Sequence, residues 1–209
     1  MSGADTFTGL KRHHYRAMLV DPPWAFRTWS AKGTGRSAIS HYDTMSFDEL
    51  AALPVAELAA SDCALFLWAY TPLLPRAIEL IAAWGFTYKT VAFTWVKTAK
   101  SGQGWVLGCG YYTRANPEII LLGTRGRPKV LSHSVRELIV APRREHSRKP
   151  DETRERIEQL VAGPYLELFA RNSSPGWDAW GIETGLFDNG PVSTRRQPSN
   201  LTTKRRSAT

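Results

Sequence analysis

The run CALFLWA, residues 63 to 69, holds only apolar side chains. Its length is that of a strand, and an unbroken apolar run of strand length reads as a strand covered on both faces. EIILLGT at 118 to 124 repeats the pattern, and RELIVA at 136 to 141 and YLELFAR at 165 to 171 are further strands. FTYKTVAFTWVK, 86 to 97, alternates and is rich in β-forming residues. Helical segments lie between them. SFDELAAL, 46 to 53, carries a capping box, with Ser46 and Glu49 three residues apart, and Pro54 stops it. PRAIELIAAWG, 75 to 85, has proline near its start and glycine after its end. PDETRERIEQLVAG, 150 to 163, is a charged amphipathic helix. Strands alternating with helices predict an α/β fold, a mostly parallel sheet with helices on both faces.

The 209 residues, 43% hydrophobic and 22% charged, suffice for one domain with a substantial core. We read residues 1–189 as that domain. Residues 190–209 form a basic tail, which from Pro191 onward holds Arg195, Arg196, Lys204, Arg205, Arg206 and no acid. Polar and without periodicity, the tail reads as disordered. The formal charge of +8 also draws on RGRPK at 125 to 129 and PRREHSRK at 142 to 149, and suits a polyanionic partner. Cys63 and Cys109 have neither zinc nor disulfide-framework spacing, and Cys63 falls in a core strand. No apolar stretch reaches membrane-spanning length, and MSGADTFTGL lacks a signal-peptide core. A reducing cytoplasm is the expected setting.

The chemistry concentrates in MLVDPPWAF, 18 to 26. Met18, Leu19 and Val20 end a buried strand, and Pro22 and Pro23 cannot continue it. The residue before a proline is pushed to extended geometry, so Asp21 stays on the strand's line. Ligands of such sheets bind outside the carboxyl ends of the strands. If the Asp21 and Phe169-Ala170-Arg171 strands are neighbours, both ends face one crevice. A carboxylate and a fixed backbone carbonyl suit an amine conjugated to an aromatic ring: each accepts one amino hydrogen and orients the nitrogen. Trp24 offers a face on which a base can stack. The plainer reading is a strand followed by a proline turn with Trp24 in the core.

The chain resembles the β-class adenine-N6 amino-methyltransferases, the family of the catalytic subunit of the eukaryotic messenger-RNA adenosine methyltransferase and its bacterial and phage DNA-modifying relatives. The similar stretches run in order: VDPPW at 20 to 24, HYDTMSFDEL at 41 to 50, LFLWA at 65 to 69, AAWGF at 82 to 86 and FTWVKT at 93 to 98. NPEIILLGTRG at 116 to 126, SRKPDE at 147 to 152, ELFAR at 167 to 171 and GWDAWG at 176 to 181 follow. Together they cover about 15 to 185.

The resemblance implies a Rossmann-like class I methyltransferase that uses S-adenosylmethionine to methylate adenine N6 in nucleic acid, DNA in preference to RNA. It implies catalytic roles for Asp21, Pro22, Pro23 and Trp24. Asp21, Lys149, Arg171, Ser173 and Glu183 would hold the cofactor; Trp24, His41, Tyr42 and Glu118 would meet the substrate. No metal is implied. A homo- or heterodimer is common in the family.

The chain departs from the family pattern at Asn172-Ser173-Ser174, where His, Arg or Asn is frequent, and at Ile182, where Asn is common. Three alternatives stand beside the leading reading: adenine methylation in RNA, methylation of the cytosine amine, and a non-catalytic nucleic-acid-binding subunit. The cytosine reaction usually goes with serine in place of Asp21. The non-catalytic members have lost the acid-Pro-Pro-aromatic tetrapeptide, which this chain keeps.

Overall fold

A computed structural model describes residues 6–25, 44–108, 110, 112–144 and 148–181. The apolar runs form the middle of one seven-stranded sheet: β1 (Tyr15–Val20), β2 (Ala59–Ala69), β3 (Thr87–Thr98), β4 (Glu118–Arg125), β5 (Leu138–Pro142), β6 (Tyr165–Leu168) and β7 (Trp177–Trp180). Their order across the sheet is β5-β3-β4-β2-β1-β6-β7.

Successive side chains of a strand point to opposite faces, so each central strand feeds two cores. Met18, Val20, Leu65, Leu67 and Leu121 belong to one. Leu19, Ala64, Phe66, Trp68 and Ile120 belong to the other. Helices α1 (Phe47–Ala51) and α2 (Leu74–Ala83) cover the first face. Helix α3 (Glu152–Leu160) covers the second with Ile157.

Local chemistry explains each helix. The Ser46 N–H donates to Glu49 Oε2 at 2.7 Å and the Glu49 N–H to Ser46 Oγ at 3.3 Å, closing the capping box of α1. In α2, Ala77, Leu80 and Ile81 are fully buried at a spacing of three and four, one helical face. Gly85, at φ +78, ends that turn. Trp84 is buried too, and its indole N–H donates to Leu50 O at 2.9 Å, so α1 and α2 are fixed together without an orphaned donor. Gly123 of β4 lies beneath α2, where an added Cβ would stand 2.8 Å from Ile81 Cγ2.

The expectation of a mostly parallel sheet holds with one exception, β4, so the sheet is mixed and not strictly parallel. β1 is parallel to β2 and β6, β6 to β7, and β3 to β5. β4 runs antiparallel to both β2 and β3. The cause lies in the connection: a return to parallel needs a crossover, usually helical, whereas the chain between β3 and β4 carries no helix among the described residues. A second difference is at the C-terminal end. β6 stops at Leu168 because Phe169 is left-handed at φ +60, and the chain then returns as the edge strand β7. Cys63 is a buried free thiol. Among the described residues no helix is long and apolar enough to cross a membrane.

Candidate active site

The expected crevice exists at the level of the strands. β1 and β6 are parallel neighbours, with Leu19 opposite Glu167 and Val20 opposite Leu168. Asp21 and the Phe169 turn therefore leave the same edge of the sheet. β4, being reversed, brings its first residue, Glu118, to that edge as well, opposite Trp95 of β3. Asp21 follows Leu19 by two residues, Lys97 follows Trp95 by two, and Glu118 precedes Ile120 by two. Leu19, Trp95 and Ile120 all lie in the core beneath α3, so the period of two sets the three polar side chains along the rim of that face.

Lys149, three residues before α3, reaches into this rim. Its Nζ stands 2.9 Å from Asp21 Oδ2 and 3.3 Å from Glu118 Oε2, and 4.9 Å from the centre of the Trp68 ring. Lys97 Nζ pairs with the other oxygen of Glu118 and lies 5.2 Å from the Trp95 ring centre. Two acids and two ammoniums thus alternate: Asp21, Lys149, Glu118, Lys97. Burial disfavours the charge on Lys149, but Asp21 and Glu118 outweigh it and hold the ammonium above its ordinary range. Burial would likewise raise Glu118, yet Lys149 and Lys97 draw its carboxyl down to about 2. Glu118 and Lys149 are therefore both charged at neutral pH. Asn116 braces the outer end: it accepts from the Lys97 N–H at 3.0 Å and donates to Lys97 O at 2.9 Å.

The tetrapeptide is held by its own backbone. The Trp24 N–H donates to Pro22 O at 2.9 Å, and Pro23 O accepts from the Met45 N–H at 2.9 Å. With φ locked at both prolines, the Pro22 carbonyl has a fixed direction, and a carbonyl oxygen keeps a second lone pair. Trp24 is packed into the first core and only 8% exposed, so the ring is largely a buttress for the turn. Its buried Nε1 has no acceptor among the described residues.

Beside β6, Arg154 of α3 donates through Nε to Glu167 Oε2 at 2.7 Å and through a terminal nitrogen to Asn172 Oδ1 at 3.2 Å. Burial pushes the Glu167 carboxyl up despite Arg154, and the nearby Asp21 charge adds to that. The left-handed Phe169 costs on the order of 1–3 kcal/mol in such a conformation. It turns the chain so that Arg171, Asn172 and Ser173 follow the rim. Arg171 lies near enough for its charge to act on Lys149.

Of the residues singled out in the sequence, the structure brings Asp21, Glu118 and Lys149 into contact, with Pro22 and Pro23 adjoining and Arg171 and Ser173 just past β6. His41, Tyr42, Glu183 and the basic tail lie outside the described residues. Sequence reasoning gave no role to Lys97, Trp68, Asn116, Arg154 or Glu167. A lysine two residues after a core tryptophan in an alternating strand was the available signal for Lys97. Among the described residues no group of three or more His, Cys, Asp or Glu is placed to hold a metal ion.

Residues 15–183 match the family model MT-A70. The chain is 34% identical over 198 residues to the type II methyltransferase M.MunI of Mycoplasma sp, covering 86% of this chain and 82% of that one. It is 33% identical over 168 residues to an MT-A70-like N(6)-adenosine-methyltransferase of Arabidopsis thaliana, covering 78% of this chain and 23% of that one. With the mouse N(6)-adenine-specific methyltransferase METTL4 it shares 30% over 198 residues, 84% of this chain and 38% of that one.

Proposed function

The chain belongs to the MT-A70 family, and from that premise we propose that it is an S-adenosylmethionine-dependent methyltransferase acting on the N6 amine of adenine in DNA. The observation that carries the reading is the contact of Asp21, at the proline-locked end of β1, with Lys149 at 2.9 Å. This puts an acceptor for an amine and a cation for a carboxylate side by side at the carboxyl ends of parallel strands. The fold reading that goes with it is a Rossmann-like class I domain.

The donor set suits the cofactor. S-adenosylmethionine carries a carboxylate and an ammonium at its amino-acid end, and Lys149 beside Asp21 offers the complementary pair. Arg171 and Ser173 follow β6 where the ribose side would lie. The cofactor, when bound, supplies an electrophilic methyl group on a sulfonium.

The adenine amine is a poor nucleophile because its lone pair is delocalised into the ring. Asp21 accepts one amino hydrogen and the Pro22 carbonyl the other, which orients the nitrogen and favours its rehybridisation. Lys149 holds Oδ2 of Asp21 and leaves Oδ1 to face the amine. As the nitrogen attacks, positive charge develops on it beside a carboxylate and a carbonyl that are already aimed, so little reorganisation is needed. Trp24 keeps the turn rigid from below. Most of the acceleration is positioning.

DNA is favoured over RNA because the relative that this chain matches nearly end to end is a type II methyltransferase. The N(6)-adenosine relative of Arabidopsis thaliana is matched over 23% of its length. The test is transfer of labelled methyl from S-adenosylmethionine to single- and double-stranded DNA and RNA, with the products digested and identified by mass spectrometry. N6-methyladenine in DNA from the wild type and none from Asp21→Ala is the expected result. Label in cytosine, or no label in any polymer despite cofactor binding, would overturn it.

A further inference from the structure

The basic segment RGRPK, read in the sequence at 125 to 129, meets a second one, KRHHYR at 11 to 16, at the opposite edge of the sheet. RGRPK closes β4 and KRHHYR leads into β1. Because β4 is reversed, its end lies beside the beginnings of β1 and β2, some 20 Å from Asp21 at about 3.3 Å per residue of β1. Between the segments runs a groove of about 680 Å³, with His13, His14 and Arg16 on one side and Arg127 and Lys129 on the other.

The fold itself uses part of this charge. Arg12 pairs with Glu57, and Arg125 donates to Ala56 O at 2.7 Å. Arg16, Arg127 and Lys129 have no carboxylate in ion-pair range among the described residues, and all three are exposed. The acid lining the groove, Asp62, is committed to the turn: its Oδ1 accepts the Arg127 N–H at 2.6 Å. That turn requires Gly126, which has φ +62 and whose added Cβ would stand 2.3 Å from Ser61 O. On the other wall, His13 is left-handed at φ +51, held there as its N–H donates to Glu57 O at 2.7 Å. Both walls are thus built with fixed, uncommon backbone geometry, and both present cations.

We infer that this groove is a second nucleic-acid contact, binding the sugar-phosphate backbone through Arg16, Arg127 and Lys129 with His13 and His14 as further donors. The inference rests on the nucleic-acid reading of the active site and adds a surface on the far edge of the sheet. The volume is that of a cleft for a whole small molecule rather than for one ion, so it takes a run of phosphodiesters. Cations without base-reading partners hold phosphate irrespective of sequence. The groove therefore supplies affinity and not target choice. It engages polymer flanking or remote from the base at Asp21.

The test is equilibrium binding of a fluorescent single-stranded 30-mer, without cofactor, to the full chain across a salt series. The variants are Arg16→Gln/Arg127→Gln/Lys129→Gln and the milder Arg127→Gln/Lys129→Gln, with melting followed by circular dichroism. Arg76→Gln, at an exposed cation of α2 outside the groove, is the control. At about 0.1 M salt the triple variant should bind on the order of 10-fold more weakly. Its slope of log K against log salt should be shallower by roughly 2, at about 0.7 per lost phosphate contact on a single strand. Arg76→Gln should bind as the wild type does.

Unchanged affinity and slope in both groove variants would overturn the inference and leave the methyl-transfer reading standing. Loss of binding to a labelled oligoglutamate peptide alone, with the oligonucleotide unaffected, would also overturn it, by assigning the groove to an acidic protein. A failure of methyl transfer to any polymer bears on the active-site reading and not on this measurement.

Discussion

Lys149 and Asp21, from opposite ends of the chain, stand 2.9 Å apart, and the same ammonium reaches Glu118 at 3.3 Å. One cation therefore holds two carboxylates apart at the rim of the sheet. Asp21, Glu118 and Lys149 respond to each other, so a change at one is read at all three.

Lys149→Met keeps the aliphatic stem against Trp68 and removes the charge. A hydrogen bond between charged groups is worth about 1.5–3 kcal/mol. Calorimetry should therefore show S-adenosylmethionine binding weakened by about 10- to 150-fold. Retention of wild-type affinity would remove Lys149 from the cofactor site.

Asp21→Asn preserves size but offers an amide where the amine needs a carboxylate. A misplaced or lost electrostatic partner of a transition state typically costs about 10²–10³ in rate. Single-turnover methyl transfer should fall by that factor, while cofactor affinity shifts by less than about 10-fold. A change confined to affinity would assign Asp21 to binding alone.

Glu118 gives a pH signature. Its folded carboxyl lies at about 2, against an ordinary value of 4.5. A lowered folded pKa means that the stabilisation is fully present above about 4.5 and is lost as pH falls towards about 2. Lys149 is raised, so its share persists through neutrality and is lost only on the alkaline side of the ordinary lysine range. Melting temperature measured from pH 7 down to 2.5 should drop along this limb. Glu118→Gln should flatten the limb and lower stability at pH 7 by about 1–3 kcal/mol, because Lys97 loses its acid and Lys149 keeps only Asp21.

Gly123→Ala tests the packing under α2. The new methyl meets Ile81 Cγ2 at 2.8 Å and Phe86 Cβ at 3.3 Å, both in a closed core. Overpacking of this kind costs about 1–3 kcal/mol, and each kcal/mol lowers the melting point by about 2–4 °C at this size. A melting point equal to that of the wild type would mean that α2 shifts freely on the sheet.

Much of this was legible in the chain. Asp21 could be placed because prolines leave a strand few options, and Ser46 with Glu49 because a capping box is local. The direction of β4 could not be read from EIILLGT, since an apolar run is the same parallel or antiparallel. The connection between β3 and β4, which carries no helix among the described residues, held that information. Lys97 was hidden for a related reason: a lysine in FTWVKT reads as solvent-facing until the register sets Trp95 opposite Glu118. Arg154 and Glu167 met only through the packing of α3 on β6, which no local pattern encodes. The Trp177–Trp180 strand was too short to stand out, and it forms because Phe169 turns the chain back.

β4 begins at Glu118 and ends at Arg125, one residue before the Gly126 turn. A single eight-residue strand is thus the rigid ruler between the two edges of the sheet. Slippage of this ruler by one residue would swing every one of its side chains to the opposite face, taking Glu118 from the two lysines and Arg127 from Asp62 in the same step. Residues 99–117 join at one end of the ruler, so changes in their length leave the spacing between its ends untouched. A library of insertions there should vary the surroundings of the active edge while the distance to the basic groove stays constant.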